Sequence, residues 1–251
     1  MITNELISLI FIFILSMIQS VVGIGVLVVG TPTLLITGMS IENALGYLLP
    51  ISIFNSLVNL IIIKFKNRVS LLNLKFLKSF LFFCIPSVFF GLILLKYFKF
   101  SINIGYFVSF VIICSIIFKE RIKQNIKKLP FFLTNLLLVL IGIFHGITNA
   151  GGTLLSIFLL STNQSKLQNR NHIVFFYFLL ATFQFIIFII IFEQEFIFTE
   201  YFNKVWAILI GVMVGNLLFD QIKQQIFEKA VYFLAFTASV FLFCKIFFDI
   251  D

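Results

Sequence analysis

Hydrophobic positions in this chain come in long runs separated by short polar gaps. Eight apolar segments cover roughly 6–40, 44–63, 76–95, 101–118, 129–162, 172–192, 203–219 and 230–248. Six of them hold 17 to 21 residues, which suits one helical crossing of a ~30 Å hydrocarbon core. The first and fifth are longer: no charged residue occurs between Glu5 and Glu42, nor between Lys128 and Lys166. One continuous helix of about 35 residues would be roughly 50 Å long, more than tilt readily absorbs. Each long run also carries glycines, Gly23 and Gly25 in one and Gly146, Gly151 and Gly152 in the other. Each therefore reads as two half-helices with a break between them. Irregular backbone is tolerated in a membrane only where it is buried in protein or lines a cavity. The expected fold is an all-α integral membrane protein whose first and fifth segments are broken or re-entrant at glycines.

The two long runs share a spacing. A shift of 126 residues puts Gln19 on His145, Gly23 on Asn149, Gly25 on Gly151 and Asn43 on Asn169, and a shift of 124 puts Gly91 on Gly215. The chain thus reads as two repeats, 1–120 and 129–251, joined by a basic linker at 121–128.

Composition agrees with lipid as the solvent. The chain is 61% apolar and 11% charged, against about 45–50% and about 25% in soluble domains. The net charge of +8 sits in short gaps between apolar runs, so the positive-inside rule explains it without nucleic acid. Cys84, Cys114 and Cys244 each lie in an apolar run and read as packing residues. The N-terminus has no basic n-region, so no cleaved signal peptide is expected.

Charge counting separates two topologies. Eight simple crossings divide the Lys and Arg residues 12 to 6 between the faces. Letting segments 1 and 5 enter and return on one side moves Lys166, Arg170, Lys223 and Lys229 to the basic face and gives 14 to 4. The second arrangement obeys the positive-inside rule better. It inverts the repeats, a recurrent plan among transporters, and it puts the linker in the cytoplasm and both termini outside.

Several polar residues fall inside the apolar runs. Gln19 and His145 precede the two breaks, and Asn149 and Thr153 flank the second. Each is a ligand donor or an interhelical hydrogen-bonding group. Gly23, Gly25, Gly151 and Gly152 admit close backbone approach, either to an anion at a half-helix N-terminus or to another helix. Asn43 and Asn169 open the following helices as caps or as ligands. Asn55 and Asn59 lie one turn apart in segment 2, and Gln184 is embedded in segment 6. His172, at a segment start beside Arg170, is expected at the interface. Pro50 and Pro86 are expected to kink helices. No carboxylate sits in the middle of a segment, and no nucleotide P-loop, H-E-x-x-H or metal-spaced cluster occurs, so neither an enzyme nor a cofactor or metal is expected.

The breaks carry a family resemblance. The run Gly23-Ile24-Gly25-Val26-Leu27-Val28-Val29-Gly30-Thr31-Pro32-Thr33-Leu34 resembles the G-x-G-G-G-x-x-x-x-P-x-L pattern of the sulfite exporter TauE/SafE family of membrane permeases. Val26 and Leu27 stand where that pattern has glycines. The second copy, Asn149 to Phe158, keeps Gly151 and Gly152 but lacks the first and third glycines and the proline. The resemblance implies a secondary permease of the cell membrane for a small anion, often a sulfur oxyanion or organosulfonate. The expected partners are that anion and membrane lipid. Its substrate-binding set is expected among Gln19, Gly23, Gly25, Asn43, Asn55, His145, Asn149, Gly151, Gly152 and Thr153. The reading from a different class is a membrane scaffold or accessory subunit that moves no solute.

Overall fold

Apolar runs in lipid must satisfy their own backbone hydrogen bonds, and helices do so within one segment. A computed structural model describes residues 5–66, 73–98, 102–117, 121, 124, 129–149, 151–162, 164–193 and 198–247, and no strand occurs among them. The first half forms α1 (Glu5–Val22), α2 (Val26–Ile36), α3 (Ile41–Phe65), α4 (Leu74–Ser79), α5 (Ile85–Phe98) and α6 (Ile102–Ile117). The second half forms α7 (Phe131–Thr148), α8 (Gly151–Leu160), α9 (Lys166–Phe192), α10 (Lys204–Gln221) and α11 (Gln224–Phe247). Apart from Arg121 and Gln124, the expected linker at 121–128 lies outside the described residues.

Among the described residues, six helices are long and apolar enough to cross a membrane: α1, α3, the composite Leu74–Tyr97, α7, α9 and α10. In the composite span a π turn, Phe80–Cys84, joins α4 to α5, and the Ile85 N–H reaches the Phe80 carbonyl. Pro86 follows directly and has no N–H to continue the ordinary ladder. Large side chains such as Phe82, Phe90, Ile190, Trp206, Met213 and Phe233 are more than half exposed, as lipid-facing residues are.

Neither long run divides into two equal halves. α1 has 18 residues, or about 27 Å, and α2 has only 11. The break therefore falls late in the first run, and the same holds for α7 with 18 residues and α8 with 10. The chain also turns back at each break. A Cβ on Gly25 would stand 2.8 Å from the Gln19 amide nitrogen, and one on Gly30 would stand 2.9 Å from Leu15 Cδ1. Contacts that step backward along α1 as α2 steps forward mean that α2 runs antiparallel beside α1. Gly151 likewise lies against the Ile141 carbonyl and His145.

Polar contacts fix which helix ends lie together. Lys66 pairs with Asp220 at 2.9 Å, and Lys166 Nζ donates to the carbonyls of Phe219 (2.8 Å) and Ile222 (2.7 Å). The ends of α3 and α10 thus share one side with the start of α9. At the opposite side Asn203 bonds Glu5 at 3.0 Å, Lys204 sits 4.6 Å over the Tyr47 ring, and Lys96 donates to the Ile191 carbonyl. Eight simple crossings require Lys66 and Lys166 on opposite faces, whereas the folded chain has them on one.

The halves interlock through small residues. Gly211 and Gly215 of α10 lie against Phe13, Ser16, Met17 and Ser20 of α1, while Gly142 and Gly146 of α7 lie against Cys84, Val88 and Gly91 of the composite span. Thus α1 packs in parallel on α10, and α7 packs in parallel on the composite span. Dispersion at close backbone approach drives such packing where lipid offers no hydrophobic gain. A Cβ on Gly91 would overlap the Ile143 carbonyl, and one on Gly215 would stand 2.6 Å from the Met17 carbonyl oxygen. Gly91→Ala and Gly215→Ala should each lower stability by about 1–3 kcal/mol through overpacking. Gly46→Ala, whose nearest neighbour is Phe188 at 3.6 Å, should cost nothing. Thermal unfolding of the three variants in detergent checks this ordering, and equal effects at Gly91 and Gly46 would sink it.

Candidate functional site

The first break begins where Gly23 takes φ +93°, a conformation that glycine adopts without strain. A Cβ there would stand 2.7 Å from Ile173 Cγ2 of α9. α2 then starts with its first amides lacking carbonyls one turn back. Gln19 answers the first of them: its Oε1 accepts from the Val26 N–H at 3.0 Å. Its Nε2 donates to the Ser52 carbonyl (3.1 Å) and Ser56 Oγ (2.9 Å) of α3. Gln19 is therefore fully used as a side-chain cap that ties α1, α2 and α3 together.

The second break uses different chemistry at the equivalent place. Asn149, which the 126-residue shift places on Gly23, is left-handed at φ 60°, a region that asparagine tolerates better than most residues. Its N–H closes on the His145 carbonyl at 3.0 Å. Its Nδ2 donates to Thr31 Oγ1 of α2 at 2.7 Å, and its Oδ1 accepts from Gln184 Nε2 of α9 at 2.9 Å. The Asn149–Thr31 bond ties the second break to the middle of α2. Beside it is a cleft of about 20 Å³ lined by Val28, Thr31, Pro32, Leu35, Thr148, Asn149 and Ala238, room for about one water molecule.

Tyr177 of α9 stands between the two short helices. Its ring lies on Gly152 in the first turn of α8, where a Cβ would stand 2.5 Å from Tyr177 Cε2. Its hydroxyl faces the backbone of Leu27 and Val28 in the first turn of α2 and the Ser52 side chain, yet closes a well-aligned hydrogen bond with none of them. The His145 ring packs edge-on to Tyr177 with centroids 6.3 Å apart. Both His145 nitrogens and Thr153 Oγ1 are buried without a hydrogen-bond partner, and both residues are wholly buried. Two helix N-termini thus reach a common interior region with polar atoms to spare.

The chain belongs to the sulfite exporter TauE/SafE family. The family's profile matches residues 8–242, nearly the whole chain and both breaks, and the family is one of membrane transporters. No curated protein and no solved structure matches the chain.

In this TauE/SafE chain the expected site residues fall into three places. Gln19, Gly23, Gly25, His145, Asn149, Gly151, Gly152 and Thr153 all lie at the two breaks. Asn55 lies in a separate buried polar column, where its Nδ2 donates to the Ser16 carbonyl at 3.1 Å. Asn43 is exposed in the first turn of α3, and its N–H is held by the true cap, Ser40. Asn169 is likewise not the cap of α9, a role taken by Ser165 in a capping box with Gln168. His172, expected at the interface, is buried.

Arg170 is the largest departure from the sequence reading, which placed it in a loop. α9 begins six residues earlier than the apolar run, at Lys166, and carries Arg170 into the protein at 2% exposure. Its guanidinium donates to the Ser20 carbonyl (2.8 Å), Asn59 Oδ1 (2.7 Å) and Asn216 Oδ1 (2.8 Å), and it stacks 4.8 Å from the Phe219 centroid. Ser20 is in the last turn of α1, so the cation also meets the negative end of that helix. Tyr177, Ser52 and Thr31 were also missed, because each is unremarkable within its own segment. Arg170→Met should strand the Ser20 carbonyl and Asn216 Oδ1 at about 1–3 kcal/mol each, while Asn59 Oδ1 keeps the Asn216 Nδ2 donor at 2.8 Å, and Arg170→Lys should not restore the forked geometry. An unfolding temperature in detergent equal to the parent's for either variant would refute this clamp.

Proposed function

We propose that this protein is a secondary permease for a small anion of the sulfur oxyanion or organosulfonate class. The observation that carries the reading is the meeting of two short helices, N-termini first, around Tyr177 inside the protein. Helix N-termini offer free N–H groups and a positive dipole end to an anion. Membrane transporters repeatedly place such broken helices near the midplane. Ser52 and Tyr177 lie near the middles of α3 and α9, which is the depth this plan asks for. In this reading the glycines act indirectly. Gly25 and Gly151 let each short helix fold back on its parent, while Gly23 and Gly152 make room for Ile173 and Tyr177. Asn149, His145 and Thr153 supply the polar wall of the second break, and Gln19 holds the first open.

The directions of the helices support inverted repeats. α1, α3 and α10 run one way, and α5, α7 and α9 run the other, so equivalent helices of the two halves oppose each other. With the 14-to-4 charge division, the Lys66–Asp220 end is the cytoplasmic one. A reporter fused after Asp251 should then read out as extracytoplasmic and one inserted at 121–128 as cytoplasmic. A cytoplasmic C-terminus would overturn the topology.

Transport itself is tested in proteoliposomes. The purified protein should carry sulfite, sulfate, thiosulfate or a small sulfonate down a gradient at a rate above that of empty vesicles. If none of these anions moves or binds, the helices serve packing alone and the chain is a scaffold or accessory subunit.

A further inference from the structure

We infer that the Tyr177 hydroxyl, with the Leu27 and Val28 amides and Ser52 Oγ, is the anion-binding centre of this protein, and that Tyr177 sets its specificity. The inference rests on the permease reading and adds two side chains, Tyr177 and Ser52, that neither the sequence motif nor the repeat picks out.

Tyr177 is wholly buried, and its hydroxyl points at the first turn of α2 without a completed hydrogen bond. Buried hydroxyls nearly always find a partner, so one held open calls for an explanation. The ring is fixed in that direction. It rests on Gly152, where any side chain would collide with Cε2, and it packs against His145. The amides opposite are the ones left over. Val26 gives its N–H to Gln19 and Val29 gives its N–H to the Gly25 carbonyl, so Leu27 and Val28 are the pair without a helical or side-chain acceptor among these bonds. Ser52 Oγ has only a 3.4 Å contact to Gln19 Oε1, long for a hydroxyl bond and easily exchanged. Two amides and two hydroxyls therefore converge as neutral donors. This set recognises a compact oxyanion with several acceptor oxygens and offers a cation no carboxylate. Neutral donors also hold an anion weakly enough to release it, as transport requires.

The structure separates this role from a packing role. A hydroxyl that makes no completed bond adds nothing to stability, so Tyr177→Phe should unfold at the parent's temperature or above. The same variant should bind sulfite at least about tenfold more weakly, the usual cost of losing a hydrogen bond to a charged group. Ser52→Ala should weaken binding in the same direction. Tyr47→Phe removes a hydroxyl that bonds Ser8 at 2.7 Å far from the breaks and should leave affinity unchanged. Calorimetric titration of sulfite into the four proteins in detergent, beside their unfolding curves, makes the test. Parent-like affinity in Tyr177→Phe overturns the inference and leaves the permease reading standing. A parent that neither binds nor transports any of the sulfur anions overturns both. Should Tyr177→Phe lose stability, Ser52→Ala decides alone, and unchanged affinity there overturns the assignment.

Discussion

The structure depends on the satisfaction of backbone polar groups where a helix stops inside a membrane. An unpaired N–H or carbonyl in hydrocarbon costs several kcal/mol, so a broken helix survives only if the protein answers each freed group. The end of α1 is answered by Arg170, whose guanidinium takes the Ser20 carbonyl. The start of α2 is answered once, by Gln19. The Leu27 and Val28 amides at that start are the donors on which the proposed anion site rests.

The two breaks solve one problem with different side chains. Gly23 and Asn149 occupy equivalent places and share a positive φ, one through the absence of Cβ and the other through an amide side chain. Gln19 and His145 are equivalent too, but Gln19 is saturated while the His145 nitrogens have no hydrogen-bond partner. Asn149 and Gln184 take over at the second break the bridging that Gln19 performs at the first. The two breaks therefore bound an asymmetric interior, with buried backbone donors toward α2 and polar side-chain atoms without partners toward α8.

Close helix packing makes that interior possible. Glycines on α5, α7 and α10 bring α1 against α10 and α7 against α5, so each broken run is anchored on the other half of the chain. The short helices then pack on different long spans, α2 on α3 and α8 on α9, and both also meet α11; α3 carries Ser52 and α9 carries Tyr177. Movement of one half against the other would change the distance from Tyr177 to the amides of α2, because they belong to different halves.

The sequence by itself determined the all-helical membrane-protein class, the apolar runs that hold the six candidate spans, and the interruption of the helix in each of the two long apolar runs. Those follow from local quantities: apolar run length, charge in the gaps, and residues that permit unusual φ. The charge imbalance across the gaps pointed to chain reversal in the long runs, and α2 lies folded back beside α1. Only the tertiary structure decided where the breaks fall, that Asn43 is exposed, that Arg170 is buried, and that Tyr177 faces α2. A polar residue's role in lipid is set by which partners reach it across helices. Arg170 meets Ser20, Asn59 and Asn216 from three other helices, at sequence separations of 150, 111 and 46 residues. No periodicity within one segment encodes such a meeting, so a buried clamp reads in sequence like any loop arginine, and the tyrosine at the centre like any aromatic in an apolar run.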